Sequence, residues 1–115
     1  MAKRRMLAIS VIESDRFCML PPSAQMLYLH LNLNADDDGI VDKWKSILRY
    51  LRVKTEHLTS LIMAGYVIEL ENGALLISDW LIHNSIRRDR YVMGQYKSEL
   101  DSIQILPTGR YFKAL

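Results

Sequence analysis

Two runs rich in β-forming residues, 66–70 (YVIEL) and 74–80 (ALLISDW), stand on either side of Asn72-Gly73. Asn-Gly supplies the positive φ angles that a tight turn between antiparallel strands needs, so this stretch predicts a hairpin. A hairpin alone does not bury enough surface to be stable in water. The residues before it must supply helices or strands for it to pack on.

They read as helices. Pro21-Pro22 opens the first, since proline fits the first helical turn. Ala24, Leu27, Tyr28 and Leu31 follow at i, i+3, i+4, i+7, and Met26, Leu29 and Leu33 make a second apolar row. A helix apolar on two sides is expected at the centre of the core. The turn NADDDGIVD breaks the period; Gly39 permits the bend, and Ile40-Val41 is a two-residue β-like step. Asp42 is the expected N-cap of a second helix. That helix buries Trp44, Ile47, Leu48 and Leu51 and turns Lys43, Lys45, Arg49, Tyr50 and Arg52 outward. After a short turn at Val53-Lys54, Thr55 is the expected cap of a third helix with Leu58, Leu61 and Ile62 inside, stopped by Gly65.

Two amphipathic helices across a short turn form a helix-turn-helix. Followed by the hairpin, with Ile40-Val41 as a third strand, they predict an α+β winged helix-turn-helix with a small three-stranded antiparallel sheet. Val92, Tyr96, Leu100 and Ile103 predict an extra C-terminal helix. The expected organisation is an N-terminal arm over 1–20, a winged-helix core over 21–80, and a basic post-wing segment with C-terminal helix and tail over 81–115. The arm is apolar from Met6 to Ile12 and is read as a short exposed strand, and either it or the hairpin is an edge for self-association in pairs.

Several site chemistries fail on spacing. Asn34, Asp36, Asp38, Gly39, Ile40, Val41 and Asp42 fit the first nine positions of a calcium loop, but Lys45 stands where the bidentate glutamate belongs. The turn is therefore read as structural, with no metal and no cofactor. His30, His57 and His83 sit on three different elements without a ligand or base at motif spacing and are read as solvated or core histidines. Cys18 stands alone and is read as packing beside Phe17; with no second cysteine for a disulfide, a reducing cytoplasm suits the chain. There is no glycine-rich phosphate loop and no nucleophile elbow, so the chain is not expected to be an enzyme. Nor does any apolar run approach a membrane span. Trp44 and Trp80 lie on apolar faces and are expected in the core.

Net charge is only +2, so the total says little about nucleic acid, but the distribution says more. Residues 56–86 hold four acids and neither lysine nor arginine, and then Arg87, Arg88 and Arg90 arrive within four positions. The remaining cations concentrate on the arm (Lys3, Arg4, Arg5) and on the second helix and its turn (Lys43, Lys45, Arg49, Arg52, Lys54). Three basic groups around a neutral third helix predict double-stranded DNA held mainly through its phosphates. His57, Thr59 and Ser60 on that helix would give weak base readout, and Tyr50 and Tyr91 could bring phenol hydroxyls to phosphates.

The segments KRRMLAISVIESDRF, PPSAQMLYLHLNLNADDDGIV and DWLIHNSIRRDRY resemble the N-terminal domain of phage and prophage replisome organisers, the DnaD-like replication proteins. ADDDG and IRRDR stand in the same order as in that family. The resemblance implies a winged helix that binds origin DNA in the initiation of phage replication. It also implies host helicase-loading proteins as partners, and members often carry a second, C-terminal region for such contacts. The chain ends soon after the last expected helix, as a short member or a fragment would. Two other readings stay open at this point. One is a winged helix used for oligomerisation or partner docking through the segment 56–80. The other is a small transcriptional regulator, since fold does not fix function.

Overall fold

A computed structural model describes residues 5–84, 91 and 93–113. The chain builds α1 (Ile9–Ile12), α2 (Asp15–Cys18), α3 (Pro22–Leu33), β1 (Ile40–Val41), α4 (Trp44–Leu51), α5 (Thr55–Met63), β2 (Val67–Glu69), β3 (Leu75–Ile77) and α6 (Trp80–His83). A 3-10 turn (Lys97–Ser102) and a second hairpin, β4 (Ile103–Ile105) and β5 (Tyr111–Lys113), complete it. The result is a mixed α+β fold with two small antiparallel sheets, one of three strands and one of two.

The expected hairpin forms where Asn-Gly placed it. Gly73 takes φ +88°, and the Asn72 side chain accepts the Ala74 N–H at 3.0 Å. Val67 pairs with Ile77 and Glu69 with Leu75. Ile40-Val41 joins as foreseen, Ile40 opposite Leu76, so that β3 is the central strand of the order β1-β3-β2. A central strand is covered on both faces, which is why 75–77 is an unbroken apolar run, buried throughout.

The helices pack their expected stripes against this sheet. Ala24, Leu27, Tyr28 and Leu31 of α3, Ile47 and Leu48 of α4, and Leu58 and Leu61 of α5 are buried. The second apolar row of α3 is not: Met26 and Leu33 are exposed and Leu29 is half-buried. Phe17, Tyr28 and Tyr66 meet edge to face with ring centroids 5.1–5.8 Å apart, an arrangement suited to the aromatic quadrupole. Gly39, at φ +84°, turns the chain tightly under Trp80. Core residues come from as early as Val11 and as late as Tyr111.

Four local expectations are corrected. Asp42 does not cap α4: the capping position is Lys43, without a side-chain cap, and the Asp42 carboxylate instead accepts from the Tyr96 hydroxyl at 3.4 Å. Thr55 is already inside α5, with Lys54 preceding it as an uncapped N-terminus. The arm is not a strand. Residues 9–12 and 15–18 coil into two short helices, the second capped by Ser14, whose hydroxyl accepts the Phe17 N–H at 3.2 Å. The C-terminal helix does not form. Tyr96 and Leu100 belong to the region of the 3-10 turn, Ile103 begins β4, and Val92 lies outside the described residues. Alternating Ile103-Gln104-Ile105 before Pro107-Thr108-Gly109 favours strand and turn over continued helix, and Gly109 takes φ +91°. Among the described residues no helix is long and apolar enough to cross a membrane.

Candidate nucleic-acid interface

α4 ends in a sharp turn at Arg52, which adopts the left-handed conformation at φ 58°. Three residues, Arg52, Val53 and Lys54, separate α4 from α5. The helix buries Ile47 and Leu48 and leaves Lys43, Lys45, Arg49, Arg52 and, past the turn, Lys54 exposed. Among the described residues none of these five cations forms an ion pair. Lys45 and Arg49 flank an open groove of about 360 Å³ whose floor includes Leu48 and Val53 and whose far wall is Thr55, at the start of α5. Lys45 Nζ also sits 5.5 Å from the centre of the Trp44 ring. Trp44 itself is only half-buried, because its indole reaches across to the hairpin loop and donates to Gly73 O at 2.9 Å. Trp80, by contrast, is in the core as expected.

α5 presents Thr59 fully and His57 and Ser60 in part. The hydroxyls of Thr59 and Ser60 donate to their own helix, to Thr55 O at 3.3 Å and Glu56 O at 3.0 Å. Only their acceptor lone pairs are left for a ligand. The hairpin loop exposes Glu69, Glu71 and Asn72 and carries no cation.

The basic arm is another matter. Arg5 turns inward: its Nη1 meets Asp37 Oδ1 at 2.9 Å with the two side chains 3% and 1% exposed. Its Nη2 donates to Ala35 O at 2.7 Å, and the guanidinium lies 5.0 Å above the Trp80 ring. A guanidinium so enclosed holds the chain start to the acidic turn and is not available to a phosphate. Lys3, Arg4, Arg87, Arg88 and Arg90 lie outside the described residues. Tyr91, read as a phosphate contact, donates its hydroxyl to the Asp38 carboxylate and accepts from Lys97 Nζ at 2.8 Å. Burial and the neighbouring carboxylate push its phenol pKa up. Tyr50 is exposed beside α3, its hydroxyl accepting from Asn34 Nδ2 at 3.3 Å.

The acidic turn is built as structure. The Asp36 carboxylate accepts the N–H groups of Asp38 and Ile40 at 2.9 and 3.1 Å, and burial raises its pKa. Asp38 accepts the Gly94 N–H at 2.8 Å and lies 3.6 Å from Lys97 Nζ. Among the described residues no group of three histidine, cysteine or carboxylate side chains could hold a metal ion.

Of two further placements, Cys18 differs from the sequence reading and His83 is one of the core histidines that reading allowed. Cys18 is exposed, its thiol 3.5 Å from Ile12 O. His83 is buried and fully used: Nδ1 accepts the Ala8 N–H at 2.8 Å, and Nε2 is 2.5 Å from the Tyr28 hydroxyl. That arrangement fixes the neutral tautomer with its proton on Nε2, and burial lowers the imidazole pKa. Asn84 Oδ1 accepts the Met6 N–H at 3.0 Å, so α6 and the residue after it strap down the chain start. Sequence reasoning also passed over Arg16 and Arg110. Both stack on Tyr66, at 4.8 and 5.6 Å from its ring centre, and both donate to the carbonyl end of α5, Arg16 to Ala64 O and Arg110 to Gly65 O.

No family model matches the chain, and neither a curated protein nor a solved structure matches it.

Proposed function

We propose that the protein is a winged-helix DNA-binding domain of the replisome-organiser type, holding duplex DNA mainly through its phosphates. In this reading α4 and α5 are the helix-turn-helix and the β2–β3 hairpin is the wing. The observation that carries it is the row of five exposed cations, Lys43, Lys45, Arg49, Arg52 and Lys54, none with an ion pair among the described residues. Cations left free of carboxylates on one helix and its turn are what a polyanion needs, because each can displace a condensed counterion. The left-handed Arg52 supports the same reading, since strained backbone concentrates at functional sites. α5 contributes little base discrimination, with hydroxyls half-committed to its own backbone and no arginine. The reading carries with it a cytoplasmic location, no catalysis, and helicase-loading proteins as partners of the assembled origin complex.

One observation weighs against the docking alternative. The apolar residues of segment 56–80 that made it look like a contact face are mostly spent on the core, among them Leu58, Leu61, Val67, Leu75, Leu76, Ile77 and Trp80.

A salt titration of duplex binding tests the proposal. Replacing Lys45 and Arg49 together with alanine removes two phosphate contacts at about 0.9 each, so the slope of log affinity against log salt should fall by about 2, equally for unrelated sequences. An unchanged slope in a folded double variant overturns it.

A further inference from the structure

The groove between α4 and α5 holds more than the cations at its rim. Lys45 and Arg49 flank a space of about 360 Å³, and Trp44, Leu48 and Val53 give it an apolar lining. Among the described residues neither cation has a carboxylate partner. A duplex held by its phosphates has no use for that lining. Its base faces are stacked on one another, and only phosphates, sugars and base edges reach a protein. Aromatic and apolar surface set among unpaired cations fits a ligand that carries flat faces and negative charge together.

Trp44 is the residue that decides. It is half-buried, and its indole N–H is held by Gly73 O at 2.9 Å. It lines the α4–α5 groove and also a second recess, of about 480 Å³, beside the hairpin loop. The two spaces differ in charge. The recess brings the carboxylates of Asp42 and Glu69 against Lys45. The α4–α5 groove has Lys45 and Arg49 and, among the described residues, no carboxylate in its lining. A chain of phosphates is therefore turned away from the recess and drawn to the groove. Lys45 Nζ rests 5.5 Å from the centre of the Trp44 ring. At an exposed site that contact is weaker than a base stacked on the same ring. A base displaces the ammonium, and the ammonium is then free for a phosphate.

We propose that this groove takes a short stretch of single-stranded DNA, with one base stacked on the Trp44 ring beside Leu48 and Val53 and the flanking phosphates on Lys45 and Arg49. The inference rests on the phosphate-binding reading of α4 and adds the state of the DNA: a separated strand as well as a closed duplex. Lys45 and Arg49 stand four residues apart, about 6 Å along the helix axis, so they reach phosphates on either side of one nucleotide. Asp42 and Glu69 bar the strand from continuing beside the hairpin loop. It leaves instead past the exposed Arg52 and Lys54, at the other end of α4.

The test is a titration of the whole chain with a short oligothymidylate and, in parallel, with an adenine–thymine duplex of the same length, both followed by tryptophan fluorescence. The chain has two tryptophans, and Trp80 is 1% exposed in the core, so a base can stack only on Trp44. The single strand should quench the emission saturably, and the duplex should not. Trp44→Phe keeps a ring for stacking; it should retain binding and lose the quench. Trp44→Ala should weaken the single strand about fivefold or more and leave the duplex unchanged. No quench at saturation, a duplex that quenches as strongly, or an unaltered single-strand affinity in folded Trp44→Ala overturns the proposal. Where Trp44→Ala does not fold, the contrast between the native chain and Trp44→Phe decides. If the duplex keeps its salt slope and the single strand gives no quench, this inference alone falls; if neither DNA binds, the phosphate reading falls with it.

Discussion

Replacing Gly39 with alanine should destabilise the protein far more than the same change at Gly73, although the two glycines share almost one conformation. Their φ angles are 84° and 88°. Forcing a side chain into the left-handed region costs about 1–2 kcal/mol at either site. The surroundings then separate them. A Cβ at Gly39 would lie 2.5 Å from Trp80 Cγ and 2.8 Å from Trp80 Cβ, whereas at Gly73 it meets nothing within 4 Å. Trp80 cannot step aside easily. It is 1% exposed, its indole N–H donates to Asp37 O at 3.1 Å, and the Arg5 guanidinium covers its ring. Overpacking a fixed core group adds about 1–3 kcal/mol. Gly39→Ala should therefore cost roughly 2–5 kcal/mol in total, and Gly73→Ala only the first part. Urea unfolding followed by tryptophan fluorescence measures both on one instrument. If the two variants fall within about 0.5 kcal/mol of each other, the steric part of the argument is wrong and only backbone preference operates.

Stability should fall as pH drops from 7.5 to 5.5. The buried His83 imidazole has a pKa below the usual histidine value, so the unfolded chain takes the proton first. The contribution is fully present above the unfolded pKa and is lost below it, at no more than about 1.4 kcal/mol per pH unit. The groups around the ring are the Ala8 N–H, the Tyr28 hydroxyl and the Asp79 carboxylate, which works against the shift without overcoming burial; His83→Gln should flatten the profile, and an unaltered profile would remove the imidazole as its source. Millimolar calcium or a chelator should leave the melting temperature unchanged, since Asp36 and Asp38 already accept backbone N–H groups and Lys97 stands beside Asp38; a clear calcium-dependent rise would refute the structural role of the turn.

What the sequence disclosed depended on the range of the interaction. Patterns closed within one element were legible: the period of α3, α4 and α5, the Asn-Gly hairpin, and the β-like step at Ile40-Val41. The cations on α4 were legible too, because a helix with Ile47 and Leu48 inside must put Lys45 and Arg49 outside. Arg5 was misjudged because its partners, Asp37 and Trp80, are distant in the chain, and a lone charge near a terminus gives no sign of being buried. The end of the chain was misjudged for another reason. Tyr96, Leu100 and Ile103 satisfy a helical period by coincidence, while the local signals at Gly94 and at Pro107-Gly109 favoured turns. Gly94 in particular has no room for a helix side chain, since a Cβ there would collide with Asp36 Oδ2. The second hairpin was invisible, because all of it beyond Ile103 was read as a tail.

The way α5 is finished has a consequence for how the chain is made. The two carbonyls just past its end, Ala64 O and Gly65 O, are met by Arg16 and by Arg110, and both guanidiniums stack on Tyr66. A ribosome adding about 5–20 residues per second delivers the second of these roughly 5–20 s after the first. During that interval the newly made helix keeps an open carbonyl end, and Tyr66 lacks one of its two covers. That end of the nascent helix is thus finished only when Arg110 has been joined, long after the helix itself was made.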